Sequence, residues 1–197
     1  KLYVGTAAAE YLITGEDEST PITPTSILIR RQSSTGSEDH QPITIGTALV
    51  YIQRSGRVLN VWEYNYENEV YEPTDITILA EDLTIDYGYT DIHYCQDPNR
   101  IIWALRSDGT VHGCTIMKEQ EVLGWHTHYS ADGTDYASIE SMAVIPGSSQ
   151  GRQQDELWMI VNRTIDGSTV RYIEMLDIMY DGDAIELQRY SDSCLSY

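Results

Sequence analysis

The sequence has 197 residues, of which 41% are hydrophobic, and it carries a formal net charge of −19. A chain of this length and apolar content can bury a core, which argues against wholesale disorder. The excess of acid argues against binding to nucleic acid or to an anionic membrane, because both require clustered lysine and arginine.

Residues 1–41 predict a partial sheet connected by loops. Leu2–Ile13 predicts two short strands, and Ser26–Gln32 predicts a third. Thr14–Thr25 and Ser33–Gln41 are rich in Ser, Thr, Gly and acidic residues, which is typical of loops. We interpret residues 1–41 as a partial blade and a linker.

Residues 42–197 predict a domain of three four-stranded repeats, over about 42–85, 90–130 and 137–192. In the first repeat the predicted strands are Pro42–Gly46, Ala48–Arg54 and Arg57–Tyr66. A loop is expected at Glu67–Pro73, and Asp75–Glu81 is expected to form a fourth strand or a short helical turn.

The second repeat has the clearest pattern. Its predicted strands are Asp91–Gln96, Arg100–Arg106, Thr110–Lys118 and Val122–Tyr129. Asp108-Gly109 is a strong hairpin signal, because both positions of such a turn favour positive φ.

The third repeat is predicted from a weaker pattern. Its expected strands are Ser138–Ile145, Asp155–Thr164, Ser168–Asp177 and Ala184–Tyr190, with a loop at Pro146–Gln154. A hairpin turn is expected at Asp166-Gly167.

The spacing of equivalent residues supports the repeats. Turn glycines recur at intervals of 53 and 58 residues (Gly56, Gly109 and Gly167), and first-strand isoleucines recur every 47 residues (Ile45, Ile92 and Ile139). Val50, Trp103 and Trp158 then fall in the second strands. The pattern predicts an all-β, antiparallel, β-propeller-like fold with about three blades and a partial one.

An open three-blade sandwich is the alternative, because a closed propeller typically has four to eight blades. The first residue is lysine. We therefore expect the chain to be part of a longer protein whose other segments complete the array.

Three cysteines, Cys95, Cys114 and Cys194, occur without a CxxC motif. They predict free buried thiols better than a disulfide framework or a zinc site. No window approaches the ~18 apolar residues of a membrane span, so we expect no membrane insertion.

His126 and His128 occupy alternate positions of a predicted strand, so their rings share one face. A zinc site would need a third ligand, for which His93 and His112 are candidates. We favour a packed or hydrogen-bonded histidine pair, and we predict no cofactor.

The acidic residues offer weaker signals. We favour solvated turns over calcium loops at Asp132–Asp135 and Asp181–Asp183, because neither segment has the full ligand spacing. A glycosidase needs a pair of catalytic carboxylates, but with 31 acids the sequence does not distinguish such a pair from other acidic residues. The candidates are Glu63, Asp91, Glu140 and Glu156. No nucleophile or nucleotide-binding motif is present, and we predict no catalytic residues and no enzyme activity.

Two local basic clusters stand out against the negative net charge. They are Arg30-Arg31 and the pair Arg54 and Arg57. We expect these arginines to pair with acids on neighbouring repeats, or alternatively to make subunit contacts, for which the planar guanidinium is well suited.

Several segments between Thr23 and Leu176 resemble a family of tailed-bacteriophage structural proteins, the nozzle-like or tail-tube-terminating proteins. The most specific are QRSGR (Gln53–Arg57), YEPTDITILA (Tyr71–Ala80), GWHTH (Gly124–His128) and RYIEML (Arg171–Leu176). The resemblance implies a β-propeller component of the virion tail that assembles as a ring with other tail proteins and has no known catalysis.

In such a ring, DNA passes through the channel without specific binding. The acidic composition would suit a lining that repels DNA. The alternative function is a carbohydrate-binding, lectin-like module of a tail tip or a secreted protein, suggested by the 15 tyrosines and four tryptophans.

Overall fold

The computed structural model describes residues 1–17, 19–132, 135–149 and 152–177. Within them the chain is built of antiparallel sheets and two short 3-10 helices, Glu81–Thr84 and Lys118–Gln120. The prediction of an all-β antiparallel protein is confirmed. The predicted strand Ala184–Tyr190 lies outside the described residues.

The first sheet has three strands in the order β1-β2-β3. They are β1 (Leu2–Gly5), β2 (Glu10–Thr14) and β3 (Leu28–Ser33). This agrees with the strands predicted for the first part of the chain.

Three further sheets have four strands each among the described residues, and in each the spatial order is the chain order, so all three are meanders. The second sheet contains β4 (Ile43–Ile45), β5 (Ala48–Ile52), β6 (Leu59–Asn65) and β7 (Val70–Asp75). The third contains β8 (Tyr89–Cys95), β9 (Ile101–Arg106), β10 (Val111–Met117) and β11 (Val122–His128). The fourth contains β12 (Ser130–Asp132), β13 (Asp135–Ser149), β14 (Arg152–Ile165) and β15 (Ser168–Met175).

The chain divides into two compact units, Lys1–Ile92 and His93–Tyr197, with the division falling inside β8. The predicted boundary at residue 41 stays a prediction.

In the first unit, β1–β3 pack against one face of β5 and β6. The Tyr3 ring contacts Trp62 edge-on, with 4.8 Å between ring centroids, and lies 6.0 Å from the ring of Tyr51. Beside these rings, the carboxylate of Glu10 is completely buried. The interface therefore combines aromatic packing with a buried acid.

In the second unit, one face of the third sheet packs against the fourth sheet. Trp103 and Val111 belong to the same apolar cluster as Ile139, Leu157 and Val161. The Ile139 N–H donates to the carbonyl of Gly109 at 3.0 Å. The hairpin turn of one sheet is thereby joined to a strand of the next.

The central strands of the third sheet bury side chains on both faces. Trp103 and Val111 are buried on the face just described, while Ile102, Ala104 and Cys114 are completely inaccessible on the other. The sequence of a strand that is covered on both faces is a continuous apolar run, whereas apolar and polar residues alternate in a strand that is covered on one face. This is the pattern of IIWAL in β9.

The glycines of the three predicted hairpins have positive φ, at 71° for Gly56, 88° for Gly109 and 74° for Gly167. Asp166 also has a positive φ, of 51°, but Asp108 does not. The prediction that both positions of the Asp108-Gly109 turn adopt positive φ is therefore wrong. Instead, the Asp108 carboxylate stabilises the turn by accepting the Thr110 N–H at 3.1 Å.

Asp75–Glu81 is not the fourth strand of the second sheet; in agreement with the alternative prediction, it contains a short turn in which the Ala80 N–H donates to the Thr77 carbonyl at 2.8 Å, and a 3-10 helix begins at Glu81. The fourth strand is Val70–Asp75. The segment predicted as a loop therefore supplies most of this strand. Pro73 lies opposite Trp62 on the edge strand, where a residue without an N–H is tolerated. The proline and the acidic residues of this strand explain the wrong prediction.

In the fourth sheet, each predicted strand occupies the position after the one that the sequence predicted for it. An additional short strand, Ser130–Asp132, comes first, so Ile139 lies in a second strand and Trp158 in a third. Gly167 accordingly joins the third and fourth strands, whereas Gly109 joins the second and third. The 47-residue spacing of isoleucines does not mark equivalent strands here.

The loop predicted at Pro146–Gln154 is largely a continuation of the β13–β14 hairpin. Pairing extends from Pro146 opposite Asp155 to Ser149 opposite Arg152. Backbone pairing thus continues beyond the apolar part of the strands, through residues of low strand propensity.

Candidate functional site

The fourth sheet exposes an apolar surface on the side opposite its core, and we call it the outer apolar face. Cross-strand pairing places Ile160 beside Ile173, and Trp158 beside Met175. The exposed fraction is 38% for Ile160 and 76% for Ile173. The neighbouring residues of β14, Leu157 and Val161, point to the core. One sheet therefore carries apolar side chains on both of its faces.

A polar cluster borders the outer apolar face. Arg171 Nε donates to Glu140 Oε2 at 2.7 Å, and Asn162 Nδ2 donates to Glu140 Oε1 at 2.9 Å. These hydrogen bonds lower the pKa of Glu140. Glu140, a candidate catalytic acid in the sequence, is thus engaged as the anion of a surface ion pair.

Three of the four predicted contact arginines donate to backbone carbonyls. Arg54 Nη1 lies 3.3 Å from the Ala7 oxygen, Arg57 Nε 3.0 Å from the Thr84 oxygen, and Arg31 Nε 3.3 Å from the Ser33 oxygen. These hydrogen bonds replace the expected pairing with acids.

The fourth contact arginine, Arg30, lines a groove of the first unit. All four arginines are exposed. Their role in subunit contacts stays a prediction.

Arg30 shares this groove with three tyrosines, and we call it the tyrosine groove. It has a volume of about 1150 Å³ and is lined by residues that include Arg30, Gln32, Glu63, Tyr64, Tyr66, Glu69 and Tyr71. The ring centroids of Tyr64 and Tyr66 are 5.0 Å apart, and those of Tyr64 and Tyr71 are 5.2 Å apart. The three rings therefore form a continuous aromatic wall.

The tyrosine groove is anchored to the core and to its own hairpin. Tyr71 stacks on the buried Trp62, with 4.4 Å between ring centroids, and its N–H donates to Gln32 Oε1 at 3.0 Å. In the turn beyond β6, Asn65 Oδ1 accepts the backbone N–H of Glu67 at 2.8 Å. The aromatic wall is thus held in place before any ligand arrives. Sequence reasoning recorded the abundance of tyrosine but not this cluster, because its strands become neighbours only in the folded sheet.

The two histidines of β11 form a hydrogen-bonded pair, as predicted. His126 Nδ1 lies 2.7 Å from His128 Nε2, and both rings meet Trp103 edge-on. Gly113 leaves room for the pair, because a Cβ there would lie 2.0 Å from His126 Cε1. Burial lowers the pKa of both imidazoles, and the neighbouring His126 lowers that of His128 further.

The predicted third metal ligands do not join this pair. In the part of the chain that the structure describes, no group of three or more His, Cys, Asp or Glu residues is arranged to hold a metal ion. His112 does not join the pair because of strand alternation. It lies opposite Thr127, and its side chain therefore points to the face of β10 opposite the one on which Gly113 faces His126.

We expect the protein to lose stability below neutral pH through this histidine pair. The folded-state pKa values lie below the ordinary value of about 6.5, so the unfolded chain binds more protons as the pH falls through that value. The contribution of the two histidines to the free energy of unfolding is fully present above pH ~6.5. Below that pH it declines, by up to about 1.4 kcal/mol per pH unit for each histidine, until the pH falls below the folded-state pKa. Urea unfolding between pH 8 and pH 5 measures this decline.

The matched control is a variant carrying His126→Gln and His128→Gln. Carboxylates also titrate near the lower end of this range, so the difference between the two proteins isolates the histidines. Equal pH slopes in both proteins would contradict the assignment.

Other predicted site residues have local roles. Glu156 Oε2 accepts the Trp158 Nε1–H at 3.1 Å, and Asp91 Oδ1 accepts the Ile92 N–H at 2.9 Å. Glu63 lines the tyrosine groove. Asp132 and Asp135 lie opposite each other in a short hairpin, and Asp181–Asp183 lies outside the described residues.

The prediction of free buried thiols is confirmed for two cysteines. Cys95 and Cys114 are free and buried, and burial raises their pKa values to about 11 and about 12. Cys194 lies outside the described residues.

Two comparisons with known proteins, one with family models and one with curated proteins, give no match. None of the helices in the described ranges is long and apolar enough to cross a membrane. No protein-family model matches this sequence, and no curated protein is significantly similar to it. The phage-tail family therefore remains an interpretation of the sequence segments named above.

Proposed function

We propose that this protein is a structural component of a bacteriophage virion tail, located at the nozzle or tail-tube end. In this proposal the three meanders are blades of a β-propeller, and copies of the chain form a ring around the DNA exit channel. The observation that supports it best is the succession of three four-stranded meanders along one chain. Such repeats form rigid walls, because each sheet is stabilised by its neighbours.

The distribution of apolar surface fits a blade array. A blade inside an array is covered on both faces, and β9 and β10 bury side chains on both faces. The fourth sheet buries one face and exposes the other. We infer that the outer apolar face is an unfinished contact surface.

We propose that a second copy of this chain covers the outer apolar face. Among the described residues β15 is the last strand of its sheet, so the outer apolar face lies at a sheet edge, an arrangement that favours association. The adjoining Glu140–Arg171 pair supplies both charge signs, which a contact between identical copies can satisfy reciprocally. The like charges of the remaining surface disfavour less specific association.

The net charge of −19 supports passage of DNA rather than its capture. A channel wall rich in carboxylates repels phosphate over a Debye length of about 8 Å at physiological salt. A neutral or basic channel in the assembled ring would overturn this part of the proposal.

We expect the double substitution Ile160→Lys and Ile173→Lys to weaken self-association by at least about 100-fold. Two buried, unpaired ammonium groups in a contact between copies cost several kcal/mol. Sedimentation velocity over a range of protein concentrations measures the effect.

The control is Gln41→Lys, which adds a charge at an exposed position outside the fourth sheet. It should shift the association constant only slightly. Two results would overturn the ring contact. One is a wild-type protein that stays monomeric at 100 μM (roughly 2 mg/ml), and the other is a double variant that associates as the wild type does.

The tail assignment itself is tested by electron microscopy of virions labelled with antibody against this chain. Labelling confined to the distal tail supports the proposal, and labelling of the capsid alone or of no part of the particle overturns it.

A further inference from the structure

The tyrosine groove has features of a ligand site that the proposed scaffold function does not use. The Tyr66 side chain is 86% exposed, although a tyrosine ring is usually largely buried. It lies at the turn between β6 and β7, and its ring contacts Tyr64 edge-on. An exposed aromatic ring that is held in position, next to two others, provides a preformed apolar platform.

The size of the groove suits an extended small ligand. Its volume of about 1150 Å³ exceeds the range of roughly 300–1,000 Å³ that is typical of pockets for drug-sized molecules. Strands β3, β6 and β7 contribute lining residues, so the site is built on sheets rather than on a loop alone. Sites on regular elements hold their geometry more tightly than loop sites do.

The chemistry of the lining selects among ligands. Glu69 offers a carboxylate acceptor, while Arg30 offers guanidinium donors. The aromatic faces carry negative electrostatic potential and attract weakly positive C–H groups. A ligand that fits has an apolar C–H face, many hydroxyl groups around it, and no negative charge.

We propose that the tyrosine groove binds a neutral oligosaccharide. The C–H face of one pyranose ring stacks on Tyr66, and the next ring along packs against Tyr64. The hydroxyl groups donate to Glu69 and accept from Arg30. Binding at this groove does not depend on ring assembly.

The main competing ligand is a proline-rich peptide, since such peptides also dock in aromatic grooves. Proline has no N–H, so a polyproline segment cannot donate to the Glu69 carboxylate. A saccharide can donate to it through a hydroxyl group. The carboxylate therefore favours the saccharide.

The test is a titration of the full chain with three neutral glucose tetrasaccharides that differ in linkage: maltotetraose, cellotetraose and laminaritetraose. Tetragalacturonate and a proline-rich decapeptide serve as comparison probes. Intrinsic fluorescence and isothermal calorimetry report binding. We expect saturation by at least one neutral tetrasaccharide below 10 mM.

Three variants connect binding to the groove. Tyr66→Ala should weaken binding at least about tenfold, whereas Tyr66→Phe, which keeps the ring, should stay within about threefold of the wild type. Tyr172→Ala, which changes an exposed tyrosine of β15 outside the groove, should leave binding unchanged. Because Tyr66 is so exposed, its replacement leaves the core intact, and circular dichroism verifies the fold.

The proposal is overturned if no neutral tetrasaccharide saturates the protein by 10 mM, or if Tyr66→Ala binds as tightly as the wild type. Tighter binding of tetragalacturonate or of the decapeptide than of every neutral sugar would also overturn it. None of these results bears on self-association, so failure here is distinguishable from failure of the ring proposal.

Discussion

Replacing Glu10 with alanine is expected to lower the free energy of unfolding by about 3–5 kcal/mol. The Glu10 side chain has no accessible surface. Its carboxylate accepts hydrogen bonds from Ser33, from Thr35 at 3.0 Å and from Ser37 at 3.0 Å. Alanine would leave three partly buried hydroxyl groups without this acceptor.

The hydrogen bonds of Glu10 extend to the aromatic residues of the same interface. Tyr51 hydrogen-bonds to Thr35 at 2.8 Å, and Tyr3 hydrogen-bonds to Ser37 at 3.1 Å. Burial, and to a smaller extent the charge of Glu10, raises the pKa of Tyr51 to about 12, so its hydroxyl stays protonated at neutral pH. Removing the carboxylate therefore disturbs the packing between the first two sheets as well.

Urea unfolding followed by circular dichroism measures this effect. Glu10→Gln keeps the shape and one acceptor oxygen, so we expect a smaller loss of about 1–2 kcal/mol. Glu38→Ala removes an exposed acid and should change stability by less than about 0.5 kcal/mol. If Glu10→Ala were no worse than Glu38→Ala, the carboxylate would not be part of a buried network in solution.

The contacts of Glu10 illustrate what the sequence does not reveal. Its hydrogen-bond partners lie 23 to 27 residues further along the chain. Local pattern indicates a strand around AEYLIT but contains no sign that its acid is buried, because acids are nearly always exposed. Only the pairing of β2 with β3 brings these hydroxyl groups to the carboxylate.

The strands of the third sheet were predictable because local signals agree there. Apolar runs, a positive-φ glycine at the hairpin and short connections indicate the same four strands, and each predicted boundary lies within about two residues of the observed one. In the fourth sheet these signals conflict. Ser, Gly and Gln continue the β13–β14 ladder through backbone hydrogen bonds, which side-chain pattern does not report.

The surfaces considered for function depend on long-range pairing too. The histidine pair was predictable from alternation within a single strand. The outer apolar face requires the register of β14 with β15, and the tyrosine groove requires β6, β7 and β3 to meet. Neither surface follows from the spacing of residues along the chain.

Replacing Trp103 with alanine is expected to destabilise the second unit by about 3–5 kcal/mol. The indole is only 4% exposed and belongs to the cluster that joins the third and fourth sheets. Collapse around the vacated volume is limited, because β9 is fixed by its backbone pairing with β10. Trp103→Phe retains an aromatic ring and should cost about 1–2 kcal/mol.

The same substitution should raise the pKa values of His126 and His128. The Trp103 ring lies 5.7 Å from one imidazole and 5.0 Å from the other, and burial is the main cause of their lowered pKa values. Without the indole, water reaches both rings and the protonated forms are better solvated. Proton NMR titration of the imidazole Cε1–H signals measures this shift in the folded protein.

Trp103→Phe should leave these pKa values closer to those of the wild type, because the phenyl ring still shields the pair. If both pKa values stayed unchanged in Trp103→Ala while stability fell, the indole would support the core without controlling the histidines, and the pH dependence predicted above would have to arise from another element.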